Sequence, residues 1–301
     1  MYRLSCITKN GTNPAYEGAR IGASRVANLM GCEINHYVPT NPDNIEEQAG
    51  LIERALGDGT DAILLAPTHP SALDGTINEI KQADIPLVYF VSRSDAIEAQ
   101  TFVTADNYSL AVAIADYLID SLGGAGDFVI VEGSPNSATS YPRIQGFLDA
   151  LTAHSDARVV AQCCGNYQRD DARLTIVDVL LNHPRIDGVL SANDYMALGV
   201  IDALAEFNRQ SSIIGINAMP QAITAIKAGH MRATAAYDAM KMSCIATHAA
   251  IRILGGITVP PVVELPVELV DDSNCDLWDR PYEQRPLLTW EEALTLFKND
   301  T

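Results

Sequence analysis

No uninterrupted apolar run in the 301 residues approaches the roughly eighteen that a membrane-crossing helix needs, so no direct membrane insertion is expected. Basic residues are scarce: 20 Lys and Arg stand against 38 Asp and Glu, for a formal charge of −18. That balance repels polyphosphates and anionic surfaces, which excludes nucleic acid as a partner. The six cysteines (Cys6, Cys32, Cys163, Cys164, Cys244, Cys275) are too few for a disulfide-built scaffold and show no CxxC spacing. Most of them read as buried small hydrophobes, and the adjacent Cys163 and Cys164 would point to opposite faces of an extended segment. Low-complexity tracts are absent, and 48% hydrophobic against 19% charged residues is ordinary globular usage, which excludes a disordered chain.

Signatures of catalysis are missing as well. His36, His69, His154, His183, His230 and His248 are scattered without HExxH or another paired spacing, so no metal site is expected. Neither a GxSxG elbow nor a GxxxxGK[ST] loop occurs. Gly123-Gly124-Ala125-Gly126 precedes a strand instead of leading from a strand into a helix, and so reads as a helix-ending turn and not a phosphate cradle. Asp170-Asp171 and Asp271-Asp272 read as helix-start and loop carboxylates. No cofactor and no catalytic residue is expected, and the chain does not read as an enzyme.

What is present is an alternation of short β-rich runs with longer stretches of helical period, the mark of an α/β fold. Strands are expected at Tyr2 to Thr8, Glu33 to Val38, Ala62 to Ala66 and Leu87 to Val91, with helices at Ala15 to Met30, Asn44 to Leu56 and Ala72 to Ala83. A second series begins at Phe128-Val129-Ile130-Val131. It continues through helix Arg143 to Ala153, strand Val159 to Gln162, helix Asp170 to Leu181 and strand Gly188 to Ala192. Repetition of one architecture in a chain of this length implies two similar lobes, each a doubly wound parallel sheet with helices on both faces. In such sheets ligands sit beyond the carboxyl ends of the strands, so function should concentrate in strand-end loops.

Those loops carry a family likeness. Asn13-Pro14-Ala15-Tyr16, Ile85-Pro86-Leu87-Val88, Ala105-Asp106-Asn107, Arg143-Ile144-Gln145-Gly146-Phe147, Ser191-Ala192-Asn193-Asp194-Tyr195-Met196-Ala197-Leu198-Gly199 and Ile214-Gly215-Ile216-Asn217 follow one another in characteristic order and spacing. From Thr12 to about Val270 the sequence resembles the ribose-binding-protein-like family of periplasmic sugar receptors, whose fold is shared by the effector domains of LacI-type repressors. The resemblance implies a type I periplasmic binding protein: two lobes joined by three hinge crossings, near Asp106-Asn107, Tyr237-Asp238 and Leu269-Val270. One lobe would comprise 1–106 with 239–269, the other 107–238 with 270–301. It also implies a periplasmic monomer, an export leader absent from this N-terminus, and the membrane permease of an ABC transporter as partner. The competing reading is the effector domain of a LacI-type regulator lacking its DNA-binding module. The tail with Trp278, Tyr282 and Trp290 exceeds the family pattern and reads as a docked strap.

The resemblance implies a ligand set of Asn13, Tyr16, Ser92, Arg93, Tyr141, Arg143, Tyr167, Asn193, Asn217 and Tyr237. Ala15 replaces an aromatic of the family. Asn217 stands where many relatives have Asp, and Tyr141 stands where they have the first Arg of an Arg-x-Arg pair. Val91-Ser92-Arg93 lacks the family's Asp-Arg pair, so the guanidinium is recovered only by shifting one residue. Amides, phenols and a guanidinium suit hydroxyls that both donate and accept hydrogen bonds, and aromatic faces suit polarised C–H groups. A set rich in Asn and Tyr and poor in charge points to a small neutral sugar, pentose-like, or a short polyol.

Overall fold

The computed structural model describes residues 1–299, and the chain divides into two compact units. Along the chain the first unit contributes β1 (Arg3–Ile7), α1 (Pro14–Leu29), β2 (Glu33–Tyr37), α2 (Ile45–Gly57), β3 (Ala62–Leu65), α3 (Asp74–Gln82), β4 (Leu87–Phe90) and β5 (Thr101–Thr104). The second contributes α4 (Asn107–Ser121), β6 (Ala125–Glu132), α5 (Ser140–Ala153), β7 (Asp156–Cys164), α6 (Arg169–Asn182), β8 (Gly188–Ser191), α7 (Asp194–Glu206), β9 (Ser212–Ile216), α8 (Pro220–Lys227) and β10 (Ala233–Ala235). The chain then returns to the first unit for α9 (Ala239–Leu254) and β11 (Val262–Glu264), to the second for β12 (Leu269–Asp271), and to the first again for α10 (Trp290–Asn299).

Unit 1 is a six-stranded sheet in the order β11-β5-β4-β3-β1-β2, with every pairing parallel. Unit 2 repeats the order as β12-β10-β9-β8-β6-β7, with β12 antiparallel at its edge. Both are doubly wound, and the winding reverses between β1 and β3 and between β6 and β8, the positions that open a crevice at the strands' carboxyl ends. Central strands are buried on both faces, which is why Ala62–Leu65 reads as one apolar run. One face of the unit 1 sheet packs Ile7, Ile63, Leu65, Leu87 and Tyr89 against Ile52, Ala55, Ile77 and Ile80 of α2 and α3. On the other face, α1 lies close against α9. A Cβ at Gly22 would stand 2.7 Å from the Met240 carbonyl oxygen, and Ser243 Oγ donates to Ala19 O at 2.7 Å.

The units are Met1–Ala105 with Asp238–Pro266 and the chain from Tyr282 on, and Asp106–Tyr237 with Val267–Pro281. Of the 270–301 stretch assigned to the second lobe, 270–281 stay with it, and the tail from Tyr282 on belongs to the first unit instead. Tyr282 is buried in a cluster with Val26, Met240 and Cys244. Arg25 donates from Nη1 to the carbonyls of Tyr282 and Arg285 at 3.1 and 2.7 Å, which ties the tail to α1. All six cysteines are free; Cys6, Cys32, Cys244 and Cys275 are buried, Cys163 is half-buried and Cys164 is exposed. No helix among the described residues is long and apolar enough to cross a membrane.

Candidate functional site

In unit 1 the carboxyl end of β1 runs into a tightly organised turn. Asn10 is buried, and its Oδ1 accepts from Thr12 N, Thr12 Oγ1 and Asn13 N at 2.9, 3.0 and 2.8 Å. This fixes the approach to α1, where Asn13 is the N-cap and its Oδ1 accepts from Ala15 N at 3.0 Å. Tyr16, one turn into the helix, is buried. Lys9 and Asp43 are gathered at the same strand end: Asp43 N donates to Lys9 O at 2.8 Å, and Asp43 takes a left-handed φ of 56°. Burial pushes the Asp43 carboxyl above its ordinary value, against the pull of Lys9 and the Asn10 amide.

At the end of β4 the backbone closes a γ-turn about Val91, whose φ is +66°, with Ser92 N donating to Phe90 O at 2.7 Å. Ser92 is buried and donates from Oγ to Pro67 O at 2.9 Å. The reversal turns the next residue away from the strand end. Arg93 is exposed, with its guanidinium 5.3 Å from the ring centroid of Phe102 in β5, and so does not join Asn13 and Ser92.

Unit 2 gathers its set around Arg143. This residue lies in the first turn of α5 and is only 3% exposed. Its Nε donates to Asn107 Oδ1 at 2.9 Å and its Nη1 to Ala192 O at 2.7 Å. The guanidinium sits 4.7 Å from the Tyr237 ring centroid and 5.9 Å from that of Tyr167, an arrangement that favours the delocalised cation electrostatically. No ion pair holds it among the described residues. Tyr167 has a left-handed φ of 60°, a strained position for a non-glycine residue, and its Oη shares a hydrogen bond with Thr139 Oγ1 at 3.0 Å. Tyr141 is 76% exposed and stands apart from this cluster.

The amides in these strand-end loops are oriented by backbone partners. Asn193 caps α7, its Oδ1 accepting from Met196 N at 2.8 Å. Asn217, at φ 135°, donates from Nδ2 to Tyr237 O at 3.1 Å. The turn that carries Asn217 is clamped by Asp194, which is fully buried and accepts from Met219 N at 2.9 Å and Thr234 Oγ1 at 2.7 Å. Among the described residues the remaining amide atoms make no hydrogen bond: the Nδ2 donors of Asn13 and Asn193, and the Oδ1 acceptor of Asn217. Arg143 likewise keeps Nη2. Amide and guanidinium groups left over in this way are the donors and acceptors that hydroxyl-bearing molecules require.

Asn107 is the residue that sequence reasoning missed. It appeared only as part of the Ala105-Asp106-Asn107 motif, yet its Oδ1 orients the guanidinium and its Nδ2 lies 3.5 Å from Tyr237 Oη. Gly133 is a second omission. A Cβ there would stand 2.1 Å from Tyr167 Cζ, so only glycine leaves room for that ring. Gly133→Ala should therefore evict the Tyr167 side chain while leaving the sheet intact. The expected loss of ligand affinity is about tenfold, or about 1.4 kcal/mol, with an unchanged far-UV spectrum. Calorimetric titration that finds wild-type affinity would remove Tyr167 from the site.

The sequence pattern of the periplasmic binding protein domain matches residues 5–258. The ribose import binding protein of Bacillus subtilis is 26% identical over 266 residues, covering 88% of this chain and 85% of that protein. A D-ribose/D-allose-binding protein of Pseudomonas aeruginosa is 29% identical over 235 residues, covering 74% and 73%. Among solved structures, an ABC transporter periplasmic solute-binding protein from Actinobacillus succinogenes with bound D-allose superposes with a TM-score of 0.87. It is 24% identical, and the match covers 92% of this chain and 99% of that one.

Proposed function

We propose, since the chain belongs to the periplasmic binding protein family, that it is the solute-binding receptor of an ABC sugar importer and captures a neutral pentose-like monosaccharide or a short polyol. The observation that carries this reading is the Arg143 guanidinium held between the rings of Tyr237 and Tyr167, with Asn107 and Ala192 as its hydrogen-bond partners. With Nε and Nη1 committed to these partners, the Nη2 that is left beside the phenol faces donates to ligand hydroxyls without demanding charge on the ligand. Relatives named as sugar-binding and import proteins favour this role over that of a regulator's effector domain.

Ligand recognition would use Asn13, Tyr16 and Ser92 from unit 1 and Asn107, Arg143, Tyr167, Asn193, Asn217 and Tyr237 from unit 2. A ligand that binds one conformation of the receptor more tightly than another shifts the population toward it, and that shift is what a permease reads. No bond of the sugar is broken, so the ligand is recovered unchanged. The setting is periplasmic, and the receptor acts as a monomer that delivers to a membrane permease.

A thermal-shift panel of pentoses, furanose-forming sugars, alditols, hexoses and uronic acids tests the reading. The largest stabilisation is expected from a neutral pentose or polyol. A dissociation constant of about 1 µM, near −8 kcal/mol, is within reach of several cooperative hydrogen bonds and stacked rings. Stabilisation by uronic acids alone, or turnover of a bound sugar by the purified protein, would overturn it.

A further inference from the structure

Asp43 lies in the loop between β2 and α2, and the fold around it does not need its side chain. The start of α2 is served by its neighbours. Asn44 is the N-cap, with Oδ1 accepting from Glu47 N at 2.8 Å, and Glu47 Oε2 in turn accepts from Thr40 N and Asn41 N. The Asp43 side chain takes no part in this capping. Its backbone is held at a φ of 56°, its Oδ1 is completely buried without a hydrogen bond, and burial pushes its carboxyl above the ordinary value. A carboxyl raised in the fold detracts from stability at any pH where it is ionised, and side chains held at such a cost cluster at functional sites.

What the carboxylate does is accept one hydrogen bond. Asn10 Nδ2 donates to Asp43 Oδ2 at 3.3 Å, the sole bond of that NH2 group among the described residues. An ionised carboxylate only accepts, so it sets which end of the Asn10 amide faces it. The other end, Oδ1, then faces the turn and takes Thr12 N, Thr12 Oγ1 and Asn13 N as donors at 2.9, 3.0 and 2.8 Å. With the amide reversed, an NH2 group would confront two backbone N–H groups, and both would lose their acceptor. Asn10 is 1% exposed, so water does not stand in for it. Asn13 N is one of those two donors, and it leads into the N-cap whose Oδ1 is committed to Ala15 N, leaving Nδ2 over.

We propose that Asp43 is a positioning residue for the strand-end site: acting through Asn10, its carboxylate holds the turn that presents Asn13 Nδ2 to the ligand. The inference rests on Asn13 belonging to the ligand set. Asp43 itself does not touch the ligand, because the oxygen it has left over is completely buried. Its acceptor oxygen is what matters, and its charge matters only in fixing the direction of the Asn10 amide.

Two variants of the intact protein test this. Asp43→Gly removes the acceptor and fits the left-handed backbone without strain, whereas Asp43→Asn keeps an acceptor oxygen and tolerates the same backbone. Without any ligand, hydrogen exchange at the Thr12 and Asn13 amides should speed up by at least about fivefold in Asp43→Gly and stay within about twofold of wild type in Asp43→Asn. Calorimetric titration with D-ribose and xylitol as probes should show affinity down by about three- to tenfold in Asp43→Gly and within about twofold of wild type in Asp43→Asn, whose melting temperature should not fall. In an Asn13→Ala background, Asp43→Gly should bring no further loss of affinity. Unchanged exchange in Asp43→Gly, an Asp43→Asn variant as impaired as Asp43→Gly, or a loss that adds in full to that of Asn13→Ala would each overturn the proposal. Faster exchange with unchanged affinity would do so too. A wild type that binds neither probe counts against the receptor reading alone, and exchange at Thr12 and Asn13 then still decides whether Asp43 holds the turn.

Discussion

Arg143→Ala should reduce affinity for the best-binding sugar by at least about 100-fold, close to 3 kcal/mol, the largest effect of any single substitution at the strand ends. The side chain is almost fully buried, and two acceptors depend on it, Asn107 Oδ1 and Ala192 O. Truncation removes the donor from both and leaves a void between the Tyr237 and Tyr167 rings. A buried acceptor such as Ala192 O left without a partner costs about 1–3 kcal/mol, so urea denaturation should show a stability loss of roughly 1–3 kcal/mol in the same variant. Arg143→Lys separates the two consequences. An ammonium keeps the charge over the rings but cannot reproduce the planar fork that serves Asn107 and Ala192 together, so affinity should fall by about tenfold with a smaller stability change. Calorimetric titration that finds Arg143→Ala within twofold of wild type would remove the guanidinium from the ligand site and undo the reading built on it.

The alternation of strands and helices was legible because doubly wound sheets bury their central strands, which leaves apolar runs such as Ala62–Leu65 and Gly188–Ser191 in plain view. The edge was less legible. β7 spans Asp156–Cys164, longer than its Val159 to Gln162 apolar stretch suggests, because an edge strand with alternately exposed residues is extended by pairing with the eight-residue β6 and not by its own hydrophobicity. At the site, Arg143 could be picked out by family likeness. Its partners could not, since they lie 36 and 49 residues away in sequence and are set by tertiary packing. Arg93 illustrates the limit of pattern matching. The Val91 γ-turn turns the chain at the point where a one-residue shift was needed, and the guanidinium ends on Phe102. Aromatic content showed that the tail docks, and said nothing of which unit it docks on.

The tail supplies the second large expected effect. Tyr282→Ala should destabilise unit 1 by about 3–4 kcal/mol, the range for emptying a large aromatic from a packed interface. Its ring fills the space above Gly18, where a Cβ would come within 2.7 Å of it, and completes the cluster of Val26, Met240 and Cys244 between α1 and α9. Arg285, itself buried, stacks 4.8 Å from the ring centroid, so the substitution also uncovers a guanidinium that the ring now flanks. Further along, Trp290 is buried beneath the Arg252 guanidinium, which pairs with Glu291 at 2.6 Å and holds the start of α10 in place. A loss of this size corresponds to a melting-temperature drop of roughly 8 °C for a unit of about 150 residues. Hydrogen exchange should localise it: amides of α1 and α9 lose protection, while those of α4 and α5 in unit 2 keep theirs. Deleting the chain after Pro281 should reproduce the pattern with larger amplitude, since it also releases Trp290 and both acceptors of Arg25. A melting temperature within about 1 °C of wild type in Tyr282→Ala would mean that the ring contributes little to unit 1, and equal loss of protection in both units would mean that its influence is not confined there.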